Sequence, residues 1–192
     1  MVYSPEEDSY MLEKEVAKYI NKLSKKQKQK IKAIRVLDMV SGTGIQALAC
    51  IREGIKKENL ICADIDSEAI KLLKKQKLNP IKSDLFSNIK NKGKNKFDLI
   101  IFNAPYLPED KNGFDKGKDT TAGKKGNEII LRFLREAKDF LSQDGKILLL
   151  FSSLSKPKAI LSYAKWLGYK AEKLAEKKLF FEKLFVYAFS LI

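Results

Sequence analysis

A chain of 192 residues, 44% of them apolar, can bury one sizeable core, which excludes a disordered polymer and predicts a single globular domain. Its longest apolar run, residues 147–151, is too short to cross a bilayer, and the acidic first ten residues lack a signal peptide's apolar segment, so a cytoplasmic protein without membrane association is expected. Lysine and arginine number 38 against 24 acids, a net charge of +14 concentrated in residues 22–32, 90–96 and 111–125, which reads either as a surface for RNA or the ribosome or as a solvated lysine-rich shell.

The first element starts at Ser4-Pro5-Glu6-Glu7, where Ser4 can cap, Pro5 suits the first helical position and Glu7 completes a capping box. Leu12, Val16, Tyr19, Ile20 and Leu23 continue it at helical spacing, and residues 24–30 form a connection. Strand and helix then alternate: a strand over 34–39, a helix over 45–55, a strand over 60–65 and a helix from 67 to about 77 that Pro80 cannot prolong. Short and strongly apolar strands follow at 79–83 and 97–102. A helix over 127–141, a turn at Asp144-Gly145 and a strand over 146–152 come next. A helix over 157–167 leads to two strand-like runs, 170–180 and 183–191. Such alternation predicts an α/β domain with a parallel sheet covered on both faces, and the last two runs, lacking a helix between them, predict an antiparallel hairpin at one edge. Residues 1–33 supply the first helix and its connection, and 34–192 the seven-stranded core.

The chain has no histidine and two cysteines, which removes Ser-His and Cys-His pairs and leaves no ligand set for zinc. Cys50 and Cys62 lie in apolar patterns and are expected to be small buried hydrophobes; no metal site is predicted.

In doubly wound sheets, ligands bind beyond the carboxyl ends of the strands. After the first strand comes Asp38-Met39-Val40-Ser41-Gly42-Thr43-Gly44, whose glycines let backbone amides approach a ligand where a helix begins. Asp64 ends the second strand, where a carboxylate can accept both ribose hydroxyls of an adenosine. Asp84 follows the third, where it can accept from an adenine amino group. Asn103-Ala104-Pro105-Tyr106 follows the fourth. Gly42 to Ala47 also fits a dinucleotide-binding pattern, but Asn-x-Pro-Tyr has no part in that chemistry. It suits methyl transfer to a planar –NH2: the Asn103 side-chain oxygen and the Ala104 carbonyl both accept, and Tyr106 stacks. Such a reaction needs positioning and electrostatics more than a general base.

These residues resemble the HemK-type methyltransferases in their short archaeal and eukaryotic branch. The resemblance covers nearly the whole chain. It rests on Tyr3-Ser4-Pro5-Glu6-Glu7-Asp8-Ser9-Tyr10, Val36-Leu37-Asp38, Ala63-Asp64-Ile65-Asp66, Ser83-Asp84-Leu85-Phe86, Phe97-Asp98-Leu99-Ile100, Asn103 to Pro108 and Gly123-Lys124-Lys125-Gly126. It implies a Rossmann-like class I methyltransferase fold, with a seven-stranded, mostly parallel sheet ending in an antiparallel edge hairpin. It also implies S-adenosylmethionine as cofactor, lined by Ser9, Asp38, the Val40 backbone, Asp64, Asp84, Leu85 and Asn103, with Ser41, Gly42, Gly44 and Ile65 completing the set. Asn103, Ala104, Pro105 and Tyr106 would hold the acceptor, the glutamine of the Gly-Gly-Gln tripeptide of a peptide-chain release factor. A small zinc-binding activator subunit is the implied partner, in a heterodimer. About 33 residues precede the first strand, too few for the amino-terminal bundle of the bacterial branch.

Two positions depart from the family pattern. Val40 stands where the family has glycine, and a β-branched side chain resists positive φ. Ala104 stands where it has proline, which frees a dihedral that proline would fix. Both departures predict weaker cofactor binding and slower transfer. A nucleic-acid adenine or guanine methyltransferase shares the Asn-x-Pro-Tyr logic and suits the basic charge, although a duplex base must be flipped and no reader domain is apparent. A lysine acceptor and a non-catalytic RNA-binding protein of the same fold also remain open. Residues 107–126, long and polar, are expected to form a lid over the acceptor site.

Overall fold

The computed structural model describes residues 4–26, 31–90, 96–105 and 126–192. Its elements run α1 (Glu7–Lys26), β1 (Val36–Met39), α2 (Ile45–Arg52), β2 (Leu60–Asp64), α3 (Ser67–Lys75), β3 (Pro80–Lys82), β4 (Phe97–Asn103), α4 (Glu128–Ala137), β5 (Leu141–Ser152), α5 (Pro157–Trp166), β6 (Tyr169–Lys178) and β7 (Lys183–Leu191). All seven strands join one sheet in the order β3-β2-β1-β4-β5-β7-β6. The first five are parallel, whereas β7 pairs antiparallel with both β5 and β6. The expected Rossmann-like architecture with its antiparallel hairpin at one edge is what the chain adopts.

Alternation along the strands divides the core into two layers. Val36, Leu99, Ile101, Leu148 and Leu150 face one layer, with Leu12, Val16 and Ile20 of α1 and Ala47 and Cys50 of α2. Leu37, Met39, Ile100, Phe102, Ile147 and Leu149 face the other, against Ile130, Phe133, Leu134 and Ala137 of α4. Each Val, Leu, Ile, Met or Phe among them contributes roughly 1.5–3 kcal/mol when fully buried. Burial of Leu12, Val16 and Ile20 therefore docks α1 on the sheet and fixes where its first turn lies. Cys50 and Cys62 are buried free thiols, and burial pushes both well up from their ordinary range.

Several predicted boundaries need correction: β1 begins at Val36 rather than at residue 34, α2 ends at Arg52 rather than at residue 55, and the larger differences fall at α1, α4 and β5. α1 begins at Glu7 rather than Pro5 and continues to Lys26, into the expected connection. α4 ends at Ala137 rather than at Leu141. Phe140 and Leu141 continue its apolar period, but Phe97 N–H donates to the Phe140 carbonyl at 2.8 Å and Leu141 pairs with Phe97, so the sheet captures them. The expected turn at Asp144-Gly145 is absorbed as a register shift within β5, opposite the step from Phe97 to Leu99. There a side chain on Gly145 would meet Leu141 Cδ1 at 2.8 Å and the Phe97 carbonyl at 3.0 Å. Among the described residues no helix is long and apolar enough to cross a membrane.

Candidate active site

β1 lies between β2 and β4, where the order of strands reverses. Met39 pairs with Ala63 on one side and Phe102 on the other. The next residue on each flank is Asp64 and Asn103, so the two stand either side of the loop that Val40 opens. Asp64 in turn pairs with Lys82, which brings Ser83 and Asp84 to the same end of the sheet. Four of the predicted positions thus converge through register alone.

The loop after β1 is tied from several directions. Ser41 N–H donates to the Ala63 carbonyl at 3.1 Å and its hydroxyl to the Asp38 carbonyl at 2.7 Å. Gly42 N–H donates to Asp64 Oδ2 at 2.8 Å, while Asp66 N–H donates to Oδ1 at 2.9 Å. Gly44 has φ 79°, and a Cβ there would come within 2.8 Å of Leu73 Cδ2, so conformation and packing both require glycine. Val40 adopts φ 57° despite its β-branch. It is a non-glycine residue held in the left-handed region at the mouth of the loop. Leu85, after β3, has φ 45°, with its carbonyl accepting from Ser83 Oγ at 2.6 Å.

The other side is held by side chains. Docking of α1 brings Asp8 and Ser9, both buried, against the end of β4. Asn103 Nδ2 donates to Asp8 Oδ2 at 3.0 Å and approaches Ser9 Oγ at 3.4 Å. Gln46 Nε2 of α2 donates to the Ser9 carbonyl at 2.9 Å. Ala104 is buried and its N–H makes a long 3.4 Å contact with the Leu150 carbonyl, extending the β4–β5 ladder as a proline could not. Pro105 is half-buried beside it. Tyr106 and the expected lid, apart from Gly126, lie outside the described residues.

Residues 17–180 match the Methyltransferase small domain family. The chain belongs to that family. It is 38% identical over 200 residues, 96% of this chain and 89% of the other, to a protein assigned by name as an N5-glutamine methyltransferase in Methanocaldococcus jannaschii. It is 34% identical over 127 residues to the release factor glutamine methyltransferase of Borreliella burgdorferi, covering 60% of this chain and 43% of that one. Among solved structures, the E. cuniculi Mtq2–Trm112 complex responsible for methylation of the eRF1 translation termination factor matches with a TM-score of 0.73 at 22% identity, over 100% of this chain and 99% of that chain. The HemK-type resemblance drawn from the motifs holds, and the protein is a methyltransferase.

In this methyltransferase, the buried polar atoms without a partner include Asp38 Oδ2, Gln46 Oε1 and Asn103 Oδ1. Gln46 Oε1 and Asn103 Oδ1 can only accept, and Asp38 Oδ2 accepts when its carboxyl is ionised. An unpaired buried acceptor costs about 1–3 kcal/mol, so each of these atoms would gain from a ligand group that donates. Burial raises the Asp38 carboxyl to about 7; the Asp64 charge adds to the rise, and Ser41 and the Ala47 amide oppose it. Burial likewise raises Asp64, against the Asp66 and Gly42 amides. Ile65 is 58% exposed beside Asp64, an apolar surface open to a flat ring.

Asp84 already has a partner. It is exposed, and Arg132 Nη1 of α4 lies 3.0 Å from both of its oxygens while Arg132 Nε bonds Glu136 at 2.8 Å. Asp8, Gln46 and Arg132 were not among the predicted site residues. Asp8 lies inside the quoted amino-terminal motif, which was the available signal; Gln46 and Arg132 carry none.

Proposed function

We propose that the protein transfers a methyl group from S-adenosylmethionine to the side-chain amide nitrogen of a glutamine in a peptide-chain release factor. One observation carries the acceptor half of this reading. Asn103 Oδ1, at the end of β4, is buried and unpartnered while its Nδ2 is occupied. A planar –NH2 group is the natural donor for that oxygen, and the names of two relatives specify glutamine. When bound, the cofactor supplies an electrophilic methyl on a sulfonium. Asp64 would hold the ribose, Asp84 the adenine amino group, and the loop from Val40 to Gly44, with Ser9, Asp38 and Leu85, the remainder. Asn103 and the Ala104 carbonyl would hold the acceptor nitrogen facing the methyl. A small activator subunit is part of the proposal, because the E. cuniculi protein of this fold is a complex with Trm112.

The deciding experiment measures labelled methyl incorporation into release factor, its Gly-Gly-Gln→Gly-Gly-Ala variant, RNA and DNA, with and without the activator. Label confined to wild-type release factor is expected. Asn103→Ala is expected to cut turnover by about 10²–10³-fold with cofactor affinity nearly unchanged, since the lost contact matters most at the reacting centre. Label in nucleic acid but none in release factor would overturn the reading.

A further inference from the structure

An asparagine amide has two faces of opposite hydrogen-bonding sense, and only one suits an –NH2 acceptor group. A neighbour that distinguishes them is therefore needed. Asp8 is that neighbour: a carboxylate oxygen accepts and does not donate, so the 3.0 Å contact places Nδ2 toward α1 and leaves Oδ1 for the pocket. Asp8 is itself anchored, because Ser9 N–H donates to its other oxygen at 2.6 Å. An acid in a first helical turn also complements the helix dipole, but that role is satisfied at the surface. Asp8 is only 5% exposed and reaches across 95 residues of sequence to Asn103.

We propose that Asp8 is a positioning residue that fixes the orientation of the Asn103 amide and so restricts the site to acceptors that bring N–H donors. This rests on the reading of Asn103 as the group that holds the acceptor. The anchored geometry makes an unusual demand on substitutions. In Asp8→Asn the new Oδ1 keeps the Ser9 amide, which leaves an –NH2 facing Asn103. Two donors then oppose each other, and Asn103 turns over to offer its oxygen to residue 8 and its own –NH2 to the pocket. In Asp8→Ala the remaining neighbour is the Ser9 hydroxyl at 3.4 Å, which can donate or accept and so leaves Asn103 free to adopt the productive orientation.

The isosteric variant is thus expected to be worse than the truncation. With the activator present, kcat is expected to fall about 100-fold in Asp8→Asn and about 10-fold in Asp8→Ala, with cofactor affinity within about threefold of wild type in both. A purely structural role predicts the opposite order. Hydrogen exchange of the Asn103 side-chain –NH2, followed by 15N NMR with Asn103→Ala for assignment, supplies a readout independent of substrate. Protection in the wild type and its loss in Asp8→Asn are expected. Equal or greater damage in Asp8→Ala, a fall in cofactor affinity that matches the fall in kcat, or an unprotected wild-type amide would overturn the proposal. A wild type that methylates no release factor yet shows the protection pattern removes the glutamine reading and leaves Asp8 as the orienting residue.

Discussion

The two halves of the pocket are held by different means. On the β1–β2 side, the Asp64 oxygens are gripped by backbone amides of Gly42 and Asp66, and Asp38 is closed inside the sheet. On β3 and β4, which flank that pair on opposite sides, Asp84 and Asn103 are gripped by the side chains of Arg132 and Asp8, delivered by α4 and α1. Backbone amides take their places as soon as the strands pair. Side chains from distant helices can be altered singly without disturbing the sheet. The first half should therefore couple more strongly to folding and pH, and Asp8 and Asn103 in the second more strongly to turnover.

Asp38 gives the largest test of that division. Its carboxyl is raised by burial to about 7, so folding favours the protonated form. The resulting stabilisation is complete below pH 4 and lost as pH rises through 7. At about 1.4 kcal/mol per pH unit, the loss reaches at most about 4 kcal/mol. Urea midpoints of the unliganded protein are expected to fall between pH 5 and pH 8, and to fall much less in Asp38→Asn. Asp64, raised for the same reason, leaves a residual slope of the same sign. An unaltered pH dependence in the variant would remove Asp38 as its source.

A smaller effect separates Asp64 and Asp84, the carboxylates proposed to hold the ribose and the adenine. Asp64→Ala removes a buried, doubly bonded group and is expected to weaken S-adenosylmethionine binding by about 1.5–3 kcal/mol. Asp84→Ala removes an exposed group already shared with Arg132, and less than about 1 kcal/mol is expected. Calorimetry on both variants checks the ranking, and equal losses would mean that the two halves grip the cofactor alike.

Much of the first half was readable along the chain, because its cues are local. Glycines after a buried strand and an aspartate at the next strand end describe a turn and a carboxylate whose relation register then enforces, as Met39 and Ala63 show. The second half was readable only in part. Asn103 announced itself beside Pro105, but nothing in residues 4–9 says that burial of Leu12, Val16 and Ile20 swings Asp8 onto it. Arg132 reads as a solvated helix residue until the fold sets it against Asp84, beyond the end of β3. The end of α4 was misplaced for the same reason: apolar period continues through Leu141, and only pairing with Phe97 shows that the sheet has the stronger claim.

The smallest test places one substitution in each half and expects opposite signs. Val40 and Leu85 both hold left-handed backbone, at φ 57° and 45°, which costs a non-glycine residue roughly 1–2 kcal/mol. Glycine relieves that strain at either position. Val40 is only half-buried, so the side chain lost there is worth less than a full valine, and Val40→Gly is expected to raise stability by about 0.5 kcal/mol. Leu85 is 3% exposed and packs in the core with Phe86 and Phe133. Removing it costs at least the 2–5 kcal/mol of a buried Leu→Ala change, which exceeds the relief, so Leu85→Gly is expected to lower stability by about 2 kcal/mol. Denaturant titration of the two variants reads the difference directly. Destabilisation by Val40→Gly would show that the valine side chain, rather than the loop's backbone, is what this chain retains at the position where the family pattern has glycine.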